Sequence, residues 1–238
     1  MDASVVPLQM VKNIWIKNIV ILLTIVCCFG LQSFDLGKPM SKKEPAITNM
    51  YLAEKLYINT NAFFLAVKGY EKLKQLGKIT NQRYLTIADM SMASSHPRLY
   101  IIDMEKQEVL LQTFVSHGKN SGLLFAEAFS NLIGSFKSSL GFYITGEPYQ
   151  GKHGTSLILK GMEAGINDKA EARAIVLHGA EYANLGFVKK QGYLGRSLGC
   201  PAVPNNQVEG IIEAIKGASC LFVYAPNKEY LEKSKLIN

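Results

Sequence analysis

From Tyr84 onward the chain breaks into short runs of apolar, β-branched and aromatic residues separated by turn formers, a rhythm that a helical bundle cannot accommodate. The runs are Tyr84 to Ala88, Arg98 to Asp103, Val109 to Ser116, Gly141 to Thr145, Ser156 to Lys160, Ala172 to His178 and Cys220 to Tyr224. Strands this short and this frequent predict a mainly β domain, largely antiparallel, built as a sandwich or barrel. One helix interrupts them over 205–216, where Val208, Ile211, Ile212 and Ile215 share a face and Gly217 follows the last turn.

Upstream of the strands the pattern changes. Residues 46–78 lack proline and carry Leu52, Leu56, Phe63, Phe64, Val67, Leu73 and Leu76 at largely helical intervals, stopping near Gly77. This predicts two short helices in an N-terminal segment at 46–80, ahead of a β domain at 81–228 and a tail at 229–238. Residues 33–45 contain Pro39, Ser41, Lys42, Lys43 and Pro45 and read as a tether. Residues 1–32 have the layout of a signal peptide or N-terminal anchor: Lys12 and Lys17 precede the apolar run Ile19 to Phe29, and Gln32 and Ser33 restore polarity. That run is short against the roughly 20 residues a membrane span needs. The expectation is export to the periplasm or cell envelope, with membrane contact only through an uncleaved leader.

Composition narrows the partners. With 48% hydrophobic and 19% charged residues, the 238-residue chain packs a core and is not extensively disordered. The formal charge of +7 favours acidic partners, but no dense Lys/Arg cluster interleaved with aromatics is present, and nucleic acid is set aside. Beyond the leader the cysteines are Cys200 and Cys220. A disulfide is the ordinary expectation for an exported protein, yet Cys220 opens an apolar strand-like run while Cys200 lies among glycine, serine and proline. Their surroundings predict one buried thiol and one accessible thiol.

The chemistry concentrates between Ala174 and Ala202. There an apolar run ends in His178-Gly179, and a Ser/Gly-rich loop, Arg196-Ser197-Leu198-Gly199, presents Cys200 just before the predicted helix. A thiol with an ordinary pKa of about 8.5 needs an imidazole or oriented N–H groups to become a nucleophile near neutrality. Gly199 would let main-chain N–H groups approach a developing oxyanion. Taken singly, these residues are equally a strand-end histidine and a structural cysteine. His117, His153 and His178 lack the paired spacing of a zinc site, so no metal is expected.

The full set of motifs carries more. Val115-Ser116-His117-Gly118, Ser138-Ser139-Leu140-Gly141-Phe142-Tyr143, Gly151-Lys152-His153-Gly154, Ile175-Val176-Leu177-His178-Gly179 and Ser197-Leu198-Gly199-Cys200-Pro201-Ala202 follow one another in this order. From about Tyr84 to Pro226 the chain resembles the L,D-transpeptidase catalytic-domain superfamily (YkuD type), in its branch with a Gly-Cys-Pro-Ala loop. The resemblance implies a β-sandwich or barrel-like catalytic domain at 81–228 in which Cys200 attacks a peptide carbonyl to form a thioester. It implies His178 as base, Gly179 as the residue whose carbonyl orients it, and Ser197, Leu198, Gly199 and Cys200 as the oxyanion segment. It implies no metal or organic cofactor.

Two positions depart from the commoner family loop: Leu198 stands where a second histidine is usual, and Ala202 where a polar residue is usual. The interval of 22 positions between His178 and Cys200 is also long, so the insert carrying Tyr182, Asn184 and Lys189 is expected to reshape the pocket. Arg196, Tyr149 and His153 are candidate contacts for a peptidoglycan stem peptide. The implied activity is a murein L,D-transpeptidase. The same fold also serves an L,D-carboxypeptidase, with water as acceptor, or a non-catalytic peptidoglycan-binding module. A papain-like hydrolase fits poorly, because there the cysteine precedes its histidine.

Overall fold

The computed structural model describes residues 52–238, which lie in one compact unit, Lys43–Asn238. The expected leader and tether, and the first residues of the helical segment, lie outside the described residues. Eight strands follow in chain order: β1 Tyr84–Asp89, β2 Leu99–Asp103, β3 Glu108–Thr113, β4 Gly141–Gly151, β5 Gly154–Gly161, β6 Val176–Gly179, β7 Ala202–Val203 and β8 Cys220–Tyr224. They form one sheet in the order β3-β2-β1-β8-β4-β5-β6-β7. Pairing is antiparallel except for β1 with β8 and β6 with β7.

The sheet nearly closes on itself. Just after β3, Ser116 bridges to Ala202 of β7 and Gly118 bridges to Ser197, so the two edges meet through the segment 116–118. Of sandwich and barrel, the observed form is therefore the barrel-like one. Burial explains why the central strands read so clearly in sequence: β2 and β8 are buried along their whole length, as is β1 beyond its first residue, and covered strands are apolar on both faces. β3 alternates exposed and half-buried positions up to its last residue, as a strand with one wet face should.

Helix α1, Thr60–Gln75, begins at Asn59, whose Oδ1 accepts from the N–H groups of Asn61 and Ala62. It buries Phe63, Ala66, Val67, Tyr70 and Leu73 in the same core as the sheet. Its approach is close enough that a Cβ at Gly69 would lie 2.0 Å from the Phe142 ring, which is itself stacked on Phe222 at 4.2 Å. Phe64 and Leu76, counted in the apolar pattern, are exposed instead.

Helix α2, Leu185–Gln191, lies within the insert between His178 and Cys200, and helix α3, Val208–Ile215, buries the four apolar residues named above. Helix α4, Lys228–Lys233, occupies the expected tail, which buries Tyr230, Leu236 and Ile237. Buried Glu163 helps fix that tail by accepting from the Phe142 N–H at 2.8 Å and from the Tyr230 and Ser234 hydroxyls. Among the described residues no helix is long and apolar enough to cross a membrane.

Candidate active site

His178 is placed by its strand. It pairs with Ser156 of β5 on one side and with Ala202 of β7 on the other. Its Nδ1 lies 2.8 Å from the Gly179 carbonyl oxygen. A carbonyl only accepts, so Nδ1 carries the proton and Nε2 presents a lone pair, the tautomer a base needs. Burial holds the imidazole below its ordinary pKa; the Gly179 carbonyl opposes this, and His153 and Lys152 reinforce it. Gly179 is also a steric requirement, since a Cβ there would lie 2.6 Å from Asn205 Oδ1.

The loop bearing Cys200 is held at both ends by the segment 116–119. At its start the Ser197 N–H donates to the His117 carbonyl at 3.0 Å, and the Lys119 N–H donates to the Ser197 carbonyl at 2.8 Å. At its end the Ser116 N–H donates to the Ala202 carbonyl at 2.8 Å. Inside the loop, Ser197 Oγ accepts from the Gly199 N–H at 3.0 Å and donates to the Cys200 carbonyl at 2.6 Å. The Gly199 N–H is thus turned inward rather than offered to the cleft.

Behind the segment 116–118 stands Arg98, which is fully buried. It donates to the Val115 carbonyl from Nε (3.1 Å) and Nη2 (3.0 Å), to the Met92 carbonyl at 2.7 Å and to His117 Nδ1 at 2.8 Å. His117 is therefore a buried brace and does not line the cleft that contains His153 and His178. Among the described residues no group of three His, Cys, Asp or Glu is placed to hold a metal.

Cys200 is half-buried, and its Sγ donates to the Ala174 carbonyl at 3.6 Å. Burial raises its pKa, while the Val176 N–H and the Arg173 and Lys152 cations pull it back down. Cys220 lies fully buried on β8, and both thiols are free. Cys200 and His178 line one cleft of about 630 Å³, together with Ser197 and Leu198. The three expected contacts Arg196, Tyr149 and His153 line it too.

Sequence reasoning missed Arg173 and left Lys152 without a role. Arg173 also lines the cleft and ties the loop 130–139 beneath it, donating to the Ser130 carbonyl at 2.8 Å, to the Lys137 carbonyl at 2.6 Å and to the Ser139 hydroxyl. Its partners lie more than thirty positions away in sequence, so no local signal marks it. Lys152 sits beside His153 at the turn of the β4–β5 hairpin. The cleft wall contains no carboxylate side chain among the described residues.

One nearly closed β sheet thus brings a cysteine loop and a strand-borne histidine into a single cleft. The L,D-transpeptidase catalytic domain matches residues 54–224, most of the chain and including the helical segment, and this protein belongs to that family.

Among solved structures it is similar to an L,D-transpeptidase from Mycobacterium smegmatis, with 15% identity, 60% of this chain and 59% of that one covered, and a TM-score of 0.38. Similarity extends to an L,D-transpeptidase from Xylanimonas cellulosilytica (12% identity, 59% and 60% covered, TM-score 0.36). A helical cell shape determining protein from Campylobacter jejuni is also similar (14% identity, 68% and 57% covered, TM-score 0.39). The match spans about three fifths of the length of these structures. No curated protein matches the chain.

Proposed function

We propose that the protein is a cysteine-dependent murein L,D-transpeptidase acting on peptidoglycan stem peptides through a thioester on Cys200. The observation that carries this reading is the convergence of Cys200 and His178 on one cleft, with the Nδ1 proton of His178 committed to the Gly179 carbonyl. His178 Nε2 takes the thiol proton, and sulfur attacks the stem-peptide carbonyl. The Cys200 and Leu198 N–H groups receive the developing oxyanion, while Gly199 acts by holding the loop through Ser197. The proton on His178 then passes to the departing amine.

An amine of a neighbouring stem resolves the thioester: the C–S bond breaks, a C–N bond forms, and the sulfur recovers a proton. Water in place of that amine gives the L,D-carboxypeptidase outcome. Arg196 suits a stem carboxylate and Tyr149 its apolar part. The domain at 81–228 would work outside the cytoplasm, exported by residues 1–32 and tethered by 33–45.

Intact-protein mass spectrometry after incubation with tetrapeptide muropeptides tests the chemistry. The wild type should gain the mass of the donor muropeptide less that of the released amino acid, and Cys200→Ala should gain nothing. A wild type that binds muropeptides without any adduct or product would leave a non-catalytic binding module instead. For export, a reporter fused after residue 80 should be active only when it is of the export-dependent kind.

A further inference from the structure

His153 stands out because it supplies what the cysteine loop lacks. Leu198 leaves that loop without a histidine of its own, yet a second imidazole reaches the cleft from another element. The β4–β5 hairpin turns at Lys152-His153, with Gly151 paired to Gly154 and Gly154 in the left-handed region at φ +77°. This turn lays the His153 ring over the His178 ring, with centroids 4.3 Å apart and planes 19° from parallel. His178 is buried, and His153 is at the exposed tip, in reach of both the cleft and bulk water.

Proton bookkeeping gives the second imidazole a purpose. Near neutrality a primary amine arrives as an ammonium ion, and an amide nitrogen retains one of its three protons. Two protons must leave: one returns to the sulfur through His178, and the other needs a separate acceptor. Water as acceptor has no such second proton to shed before attack.

Resting on the thioester reading above, we propose that His153 is the acid–base residue that deprotonates the incoming ammonium group, making the cleft suited to an amine acceptor rather than to water. The acceptor nitrogen gives one proton to His153, which releases it to solvent. The neutral amine attacks the thioester carbonyl, the C–S electron pair returns to sulfur, and His178 carries the second proton from nitrogen to sulfur. His153 stacks on His178 of β6 and shares the cleft wall with Lys152 and Tyr149 of its own hairpin and with Arg173 from the connection before β6. Beyond β6 the cleft adds Tyr182, Arg196 and Cys200.

The test uses the full chain and the variant His153→Gln, with a tetrapeptide muropeptide as donor and glycinamide as acceptor, whose α-amino group titrates near pH 8, or about 7.7–8.0. Acylation of Cys200 and aminolysis of the thioester are timed separately by quenched mass spectrometry. For His153→Gln the ratio of aminolysis to acylation should fall at least about tenfold at pH 6.5 and recover to within about threefold at pH 9, where the amine is already neutral. A ratio that is unchanged at both pH values, or depressed equally at both, overturns the role of His153. Absence of any Cys200 adduct in the wild type overturns the thioester reading itself, and this proposal with it.

Discussion

His178 lies beside Ala202 in parallel register, and its N–H donates to the Pro201 carbonyl at 3.4 Å, one residue beyond the Cys200 thiol. The proposed nucleophile and its base are therefore located by main chain rather than by a side-chain bond between them. The thiol itself is turned to the Ala174 carbonyl. The proposed reaction requires it to leave that acceptor for His178 Nε2 by turning about the Cys200 side-chain torsion.

Gly199→Ala probes how tightly that backbone is set. Gly199 has φ +127°, where a side chain is strained, and its added Cβ would lie 2.9 Å from the Lys137 carbonyl and 3.1 Å from Ile175 Cδ1. Strain of this kind costs about 1–3 kcal/mol and is relieved by shifting the loop that carries Cys200. The acylation rate should drop at least about tenfold, since misplacing reacting groups by about 1 Å costs up to a hundredfold, while the far-UV circular dichroism stays native. Acylation at the wild-type rate would show that the loop geometry does not matter.

The two thiols should separate cleanly under alkylation. Cys200 opens on the cleft, whereas Cys220 is fully buried and burial pushes its thiol pKa far up. Iodoacetamide should label Cys200 in the native protein and Cys220 only after denaturation. Cys220→Ala leaves a small void in the core and should lower stability by roughly 1–3 kcal/mol while keeping acylation. Peptide mapping that finds Cys220 labelled first, or a quantitative disulfide in active material, would contradict this assignment.

The pH dependence of acylation follows from His178. In the proposed mechanism its neutral form is the base, and burial, helped by His153 and Lys152, holds its pKa below the ordinary imidazole value of about 6.5. The midpoint of the acid limb of the acylation profile should therefore lie below about pH 6.5. A midpoint clearly above the ordinary imidazole value would contradict the geometry. His178→Ala should abolish the limb and slow acylation by roughly a hundredfold or more.

The parts legible in sequence are those whose causes are local. β1, β2 and β8 are buried runs, and α3 has an apolar stripe, so periodicity finds all four. The outer arm of β4, residues 147–151, escaped because it is polar and exposed and owes its extension to pairing with β5. β7 is two residues long and exists because the sheet closes there. Residues 172–175 looked like strand but turn instead: Ala174 adopts φ +52°, and the Ile175 N–H returns to the Ala170 carbonyl. Helix α2 buries none of its residues and so shows no stripe, although Asn184 and Gly192 cap it at either end. The site divides in the same way. Cys200 and His178 were visible through their flanking glycines and apolar run, whereas Arg98 and Arg173 act on residues brought near only by the fold.

The brace behind the cysteine loop makes a prediction about acid stability. Arg98 Nη2 donates to His117 Nδ1, so the neutral ring keeps its proton on Nε2, which has no partner among the described residues. A second proton would have to enter at Nδ1, against the guanidinium, in a fully buried site. Burial first, and Arg98 second, lower the His117 pKa to about 4. In the unfolded chain the same ring titrates near 6.5. A folded-state pKa below the unfolded one gives stability that is present above about pH 6.5 and is lost as pH falls toward 4, on the order of 3 kcal/mol in all. Buried Asp89 and Glu163 have raised pKa values and contribute the opposite trend, but they are common to wild type and variant. His117→Asn keeps an acceptor for Arg98 and removes the titration. It should be less stable than wild type at pH 7, through lost packing, and the gap should narrow by roughly 3 kcal/mol between pH 7 and pH 4 in urea unfolding. Parallel stability curves for the two proteins would show that His117 is not held neutral in the folded state.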